Sequence, residues 1–462
     1  MNGFQSRSPV LVASIEMGYG HMRAAQPLAE FLGTSVVRVD CSPTADPEEE
    51  RQWARLRRAY EGLSRLSQVP RLGAPLRWLL ESMTAIPHLH PMRDLASPTL
   101  GSRLQERLIA HNGLGRGLVR LLLQSGQTLL ATHFIAALAA DRSGCERVYC
   151  VVTDADIHRV WAPLDPKRSP LQYLVPSRRA MHRLEAYGVR RERIHFTGFP
   201  LPHSLLGGPG LGKLRSNLAA RLVRLDPART FRSQIQIEID HFLGPLPRDQ
   251  EGAPPRLVFA VGGAGAQVEI ARMFLPGMRR MLASGRLALT LVAGVRKPVA
   301  LRFERLLAEA GLAHRLGRNI DILCADTIDD YLTRFNLLLE NTDILWTKPS
   351  EVTFLGALGI PLVFSWPVGE HERYNRRWAV EQGAGLKQRD PRCAGDWLHE
   401  WLQDGTLANA AWSGYMRLPK FGTYRIAEIL EEDRHDTGAG ATGRALFETE
   451  GSQGDGVNEA KT

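Results

Sequence analysis

A chain of 462 residues is too long for one ordinary hydrophobic core, so two domains are expected. Its 44 % hydrophobic and 23 % charged residues exclude a disordered or fibrous chain, and it holds no run of about 20 apolar residues that would span a bilayer. With 58 basic against 49 acidic residues the net charge is +9, which favours anionic partners such as nucleotides or acidic headgroups. No aromatic-interleaved basic stripe accompanies that charge, so no nucleic-acid partner is expected.

In chain order, a strand over 9–15, a glycine turn, a helix over 22–31 and a second strand over 35–39 make a βαβ unit, which needs a parallel sheet. Residues 46–125 read as helical and rich in Arg and Leu. Within them 76–80, with Met83, Ile86 and Leu89, is apolar enough either to pack on the sheet or to touch a membrane surface. Strands return at 128–132, 148–153, 173–175 and 194–197. The stretch 205–255 opens with Gly-Gly-Pro-Gly, carries a basic amphipathic piece and ends rich in Pro and Gly, so it reads as a connection with a small insertion. The α/β rhythm then restarts, with strands at 257–261, 288–292, 320–323, 344–346 and 361–364. The expected division is a first domain over 1–204, the connection over 205–255, a second domain over 256–434 and a disordered tail over 435–462.

The five cysteines (Cys41, Cys145, Cys150, Cys324 and Cys393) include no C-x-x-C pair, which fits a reducing cytoplasm. The first residues run directly into a strand, so no signal peptide is expected. His88, His90 and His111 lack companion ligands, and neither a metal nor a bound cofactor is expected.

Two glycine loops stand out. Gly18-Tyr19-Gly20-His21 ends a strand and opens a helix, where close backbone approach and the helix N-terminus favour negative charge. It is not the dinucleotide fingerprint, because the third glycine would fall at Arg23. Gly262-Gly263-Ala264-Gly265 sits in the same place in the second half, and its amides suit a diphosphate, although a tight structural turn would use the same glycines. A third candidate, 207–213, matches G-x-x-x-x-G-K but is followed by Leu214 and preceded by no strand, so it is not a P-loop. Ligands of open parallel sheets bind at the carboxyl ends of strands, so two such loops point to a cleft with donor on one side and acceptor on the other.

Several stretches resemble the glycosyltransferases that include MurG, the plant monogalactosyldiacylglycerol synthases and the bacterial diacylglycerol glucosyltransferases. They are Gly18-Tyr19-Gly20-His21; Val152-Thr153-Asp154 with His158 and Trp161; Tyr173 to Ser177; Gly188-Val189 with Thr197-Gly198-Phe199-Pro200; Gly262 to Gly265; and Lys348-Pro349-Ser350, Gly359-Ile360-Pro361, His371-Glu372 and Asn375. The resemblance spans about residues 10–385. It implies two Rossmann-like α/β domains facing across a cleft, the GT-B type. It also implies inverting transfer of a sugar from a nucleotide diphosphate, with a UDP-sugar as donor, onto a hydroxyl.

That acceptor is on a lipid or amphiphile in the relatives, which would bring peripheral membrane contact at the inner face. A nucleotide-sugar epimerase and a catalytically silent nucleotide-binding protein share the scaffold. The pattern departs at the family's ribose-gripping acid, which falls on Phe354; the acid nearby is Glu351. The family's Gln-Glu pair appears as His371-Glu372.

Transfer needs a base for the acceptor hydroxyl, and His21 on the acceptor-side loop with Gly18 and Gly20 is the candidate, unless it caps its helix or binds a phosphate oxygen. Asp154 would orient the acceptor or the base, or close its strand. His158 and Trp161 would line the acceptor slot, or pack the loop. On the donor side stand Gly262, Gly263, Gly265, Ser350, Glu351, His371, Glu372 and Asn375. Ser350 has a full alternative as a helix cap, and positions 371 and 375 share a helix face in any case.

Overall fold

The computed structural model describes residues 10–66, 85–262, 267–367 and 369–436. The apolar stretch 76–80 with Met83, the loop residues Gly263 and Gly265, and the tail beyond 436 lie outside these.

Two six-stranded sheets make up the frame, and every strand pairs parallel to its neighbours. The first holds β1 (Val10–Ser14), β2 (Val36–Arg38), β3 (Thr128–Ala131), β4 (Val148–Val151), β5 (Gln172–Val175) and β6 (Ile194–Phe196), in the order β2-β1-β3-β4-β5-β6. The second holds β7 (Arg256–Ala260), β8 (Ala288–Gly294), β9 (Ile320–Cys324), β10 (Ile344–Thr347), β11 (Leu362–Phe364) and β12 (Gly385–Lys387), in the order β12-β11-β10-β7-β8-β9. The strands read as apolar runs, not alternations: all of β1 and all of β3 are buried. A sheet covered by helices on both faces requires that pattern.

Each sheet reverses its winding at one strand. The chain passes from β1 to β2 on one side and then to β3 on the other, and likewise from β7 to β8 and β9 before returning to β10. Both glycine loops leave the strand at which the order reverses, where the crossovers diverge and open a crevice.

Three expectations change. Residues 85–99 form no helix, because Pro87, Pro91 and Pro98 interrupt the run; helices occupy Pro47–Leu66, Leu100–Ala110 and Arg116–Ser125. The stretch 205–255, expected as a connection with a small insertion, is tied to the second domain. Its helix Gly212–Leu225 buries Leu214, Leu218, Leu222 and Leu225 in the second domain's core. From that helix Arg221 donates to the carbonyls of Thr342 (2.7 Å) and Leu358 (2.9 Å), and Arg224 makes a two-point bond to Asp343 at 2.8 and 2.7 Å.

The helix Gly422–Asp436, the last among the described residues, belongs with the first sheet. Its Ile426, Ile429 and Leu430 pack with Val10, Val12, Leu130 and Leu174.

The chain therefore crosses between the domains twice, after β6 and before Gly422. The two crossings touch. A Cβ on Gly198 would lie 2.6 Å from that of Pro419, and one on Gly422 would collide with the Phe199 carbonyl. Thr423 donates to the Leu201 carbonyl at 2.8 Å, and His203 meets the Tyr424 hydroxyl at 2.8 Å. Among the described residues no helix is long and apolar enough to cross a membrane.

Candidate functional site

His21 lies in the first turn of the helix Gly20–Phe31, directly after β1. Tyr19, not His21, is the N-cap residue, so the imidazole is not a helix cap. Its Nδ1 is 2.6 Å from the carbonyl oxygen of Thr132, the residue that follows β3. A carbonyl only accepts, so Nδ1 carries the proton and the lone pair sits on Nε2. Burial pushes this histidine's pKa down, and the Thr132 carbonyl and the carboxylates of Asp154 and Glu351 pull the other way without reversing it. The result is a neutral imidazole with a fixed tautomer in the first crevice.

Behind it stands an aromatic wall. His133 packs edge-on at 4.5 Å between centroids, and Trp161 lies at 6.4 Å. His133 accepts the Ile135 amide at 3.1 Å through Nδ1, and burial drives its pKa well below the usual range. Trp161 is 2 % exposed and packs on Phe134 at 4.9 Å. His158 sits edge-on to the same Phe134, and its buried Nδ1 has no hydrogen-bond partner. Burial, reinforced by His371 across the cleft, lowers the His158 pKa to about 3.

The second domain closes on this loop directly. Tyr19 accepts the Val295 amide at 3.1 Å, and a side chain on Gly294 would collide with its hydroxyl. Arg23, 3 % exposed, reaches Glu351 at 3.4 Å and the Tyr331 hydroxyl at 3.4 Å, with its guanidinium 4.6 Å above the Phe335 ring. A Cβ on Gly20 would sit 3.1 Å from Glu351 Oε2, so a larger residue there would press on that carboxylate. Gly18, at φ +88°, has nothing near its missing Cβ; its need for glycine is conformational.

Asn375 joins the halves. Its Oδ1 accepts the Ala155 amide at 2.8 Å, while Nδ2 donates to Asp154 at 2.8 Å and to the Pro349 carbonyl at 3.3 Å. Both amide protons are used within the protein, so the side chain ties the loop after β4 to the second domain. Asn375→Ala would strand the buried Ala155 amide, so a loss of about 1–3 kcal/mol is expected in urea unfolding, with a wider small-angle scattering envelope.

Phe354 stacks on Phe199 at 4.8 Å, lies tilted against Trp378 at 5.2 Å, and is 4 % exposed. The position at which the resemblance implies an acid is therefore interdomain core here. Ser350 precedes the 3₁₀ helix Glu351–Leu358, yet its side chain makes no capping bond. Glu372, 2 % exposed, holds Lys348 at 2.7 Å, and the Lys348 stem lies where a Cβ of Gly262 would be. The His371 ring lies against Gly369. Sequence reading passed over Tyr19, Arg23 and Lys348 as site residues, although Tyr19 and Lys348 lie inside the quoted motifs.

No protein-family model matches the chain, and neither does any curated protein. Solved structures do. UDP-GlcNAc 2-epimerase from Neisseria meningitidis bound to UDP-GlcNAc is similar with TM-score 0.50 and 12 % identity, over 92 % of this chain and 99 % of that one. A putative UDP-N-acetylglucosamine 2-epimerase from Listeria monocytogenes gives TM-score 0.50 and 12 % identity, over 92 % and 97 %. MurG from Acinetobacter baumannii gives 0.45 and 12 %, over 92 % and 99 %. At such identities the likeness is one of fold: two Rossmann-like domains facing across a cleft, the GT-B arrangement.

Proposed function

We propose that the chain binds a nucleotide diphosphate-sugar, a UDP-sugar in the first instance, between its two sheet edges and transfers the sugar to a hydroxyl. The observation that carries this reading is the 2.6 Å contact of His21 Nδ1 with the Thr132 carbonyl, which leaves Nε2 as a neutral base. Nε2 takes the acceptor's proton as its oxygen bonds to the anomeric carbon. The bond from that carbon to phosphate breaks, and its electron pair leaves with the nucleoside diphosphate. The acceptor class is a hydroxyl on a lipid or other amphiphile.

A second reading, epimerisation of the same donor, is favoured by the carboxylates of Asp154 and Glu351, whose charges both act on the His21 imidazole. Two similar folds also carry that activity in their names.

The test is incubation with a panel of UDP-sugars in deuterated water, with and without a cell lipid extract, followed by mass spectrometry. Sugar consumed only with acceptor, with UDP released, is the expected result. Solvent deuterium entering the sugar without acceptor would establish the epimerase instead. If no nucleotide raises the melting temperature and no sugar is consumed, both readings fall.

A further inference from the structure

We propose that Lys348 is the cation that receives the donor's diphosphate, an inference that rests on the nucleotide-sugar reading above. Lys348 is the first residue after β10, and Gly262 lies two residues beyond β7. These are the neighbouring strands between which the second sheet reverses its winding, so the lysine stands in the crevice where such sheets take ligands. His21 occupies the equivalent crevice of the first sheet, between β1 and β3.

The local packing brings the ammonium there. A Cβ at Gly262 would collide with the lysine's Cε, so the missing side chain lets the stem lie against Gly262. The lysine side chain remains 23 % exposed, whereas its partner Glu372 is buried and 2.7 Å away. A buried carboxylate thus fixes an ammonium that a ligand can still reach. An ammonium has three N–H donors, so it can keep Glu372 and give a bond to a phosphate oxygen at once. Charge developing on the departing diphosphate would then be met by a cation already in position.

A purely structural ion pair makes a different prediction. It would cost stability when cut and leave recognition of phosphate unchanged.

The experiment is calorimetric titration of UDP and uridine, and of ADP, GDP and TDP with their nucleosides, into the full chain and its variants. Lys348→Met is expected to weaken diphosphate binding by about tenfold or more while nucleoside affinity stays within about twofold; Lys348→Arg should keep most of the diphosphate preference. Should Lys348→Met fail to fold with Glu372 left unpaired, Lys348→Met/Glu372→Gln removes both charges and carries the same measurement. A diphosphate-to-nucleoside ratio unchanged from the parent chain overturns the role of Lys348 alone. A parent chain that binds none of the diphosphates overturns the nucleotide-sugar reading and this inference together.

Discussion

His21→Asn should lower kcat by about 10²–10⁴-fold and leave nucleotide affinity unchanged. Asparagine can still donate an N–H towards the Thr132 carbonyl, so the loop keeps its anchor, but it has no basic nitrogen. Single-turnover assays against calorimetric binding separate the two effects. An equal loss of affinity and turnover would make His21 a ligand contact and not a base.

The pH dependence follows from the same burial. The histidine's pKa is pushed below 6.5, so the active, neutral form persists as pH falls through 6.5, and kcat/KM should decline only at lower pH. His133 and His158 are depressed as well, first by burial. The unfolded chain takes up protons on these three rings below about pH 6.5 while the fold does not, so stability should drop as pH falls past that point.

Asp156→Ala should cost about 3–5 kcal/mol, read as a shift of the denaturant midpoint of the first domain. Asp156 and Arg183 are both fully buried, joined by bonds of 2.8 and 3.1 Å, and Asp156 also takes Arg179 at 2.6 Å. Removing the carboxylate leaves a buried guanidinium whose Nη1 already has no partner. The double change Asp156→Ala/Arg183→Met should recover much of the loss, since the fully buried pair is gone and Arg179, 23 % exposed, can turn to solvent. If the single change is as mild as a surface substitution, the pair does not hold the loop after β4. That loop carries Asp154 and His158, so turnover should fall in the single variant even where it remains folded.

The frame was largely readable because parallel strands covered on both faces must be apolar throughout, as in Val10–Ser14 and Thr128–Ala131. β12 was missed: Gly385-Leu386-Lys387 is three residues at a sheet edge, too short to show a period. The helix Gly212–Leu225 did show its stripe of Leu214, Leu218, Leu222 and Leu225, but the neighbouring glycines and prolines made it look like a connection.

The site was less legible, because its pairs join residues far apart. Lys348 meets Glu372, Asp154 meets Asn375 and Arg23 meets Glu351, and nothing in local spacing announces them. Phe354 is the instructive case. Motif alignment treats it as a lost acid, whereas packing makes it half of an aromatic stack with Phe199 that ties the domains together.

The two links between the domains run side by side, with Gly198 against Pro419 and Gly422 against Phe199. Both pins of the hinge are therefore on one seam. Any opening of the cleft has to swing about that line, with displacement growing away from it. A sliding or twisting motion would have to tear the paired glycines apart. The Phe199–Phe354 stack adjoins the seam, so it can persist through such a swing while contacts farther out separate.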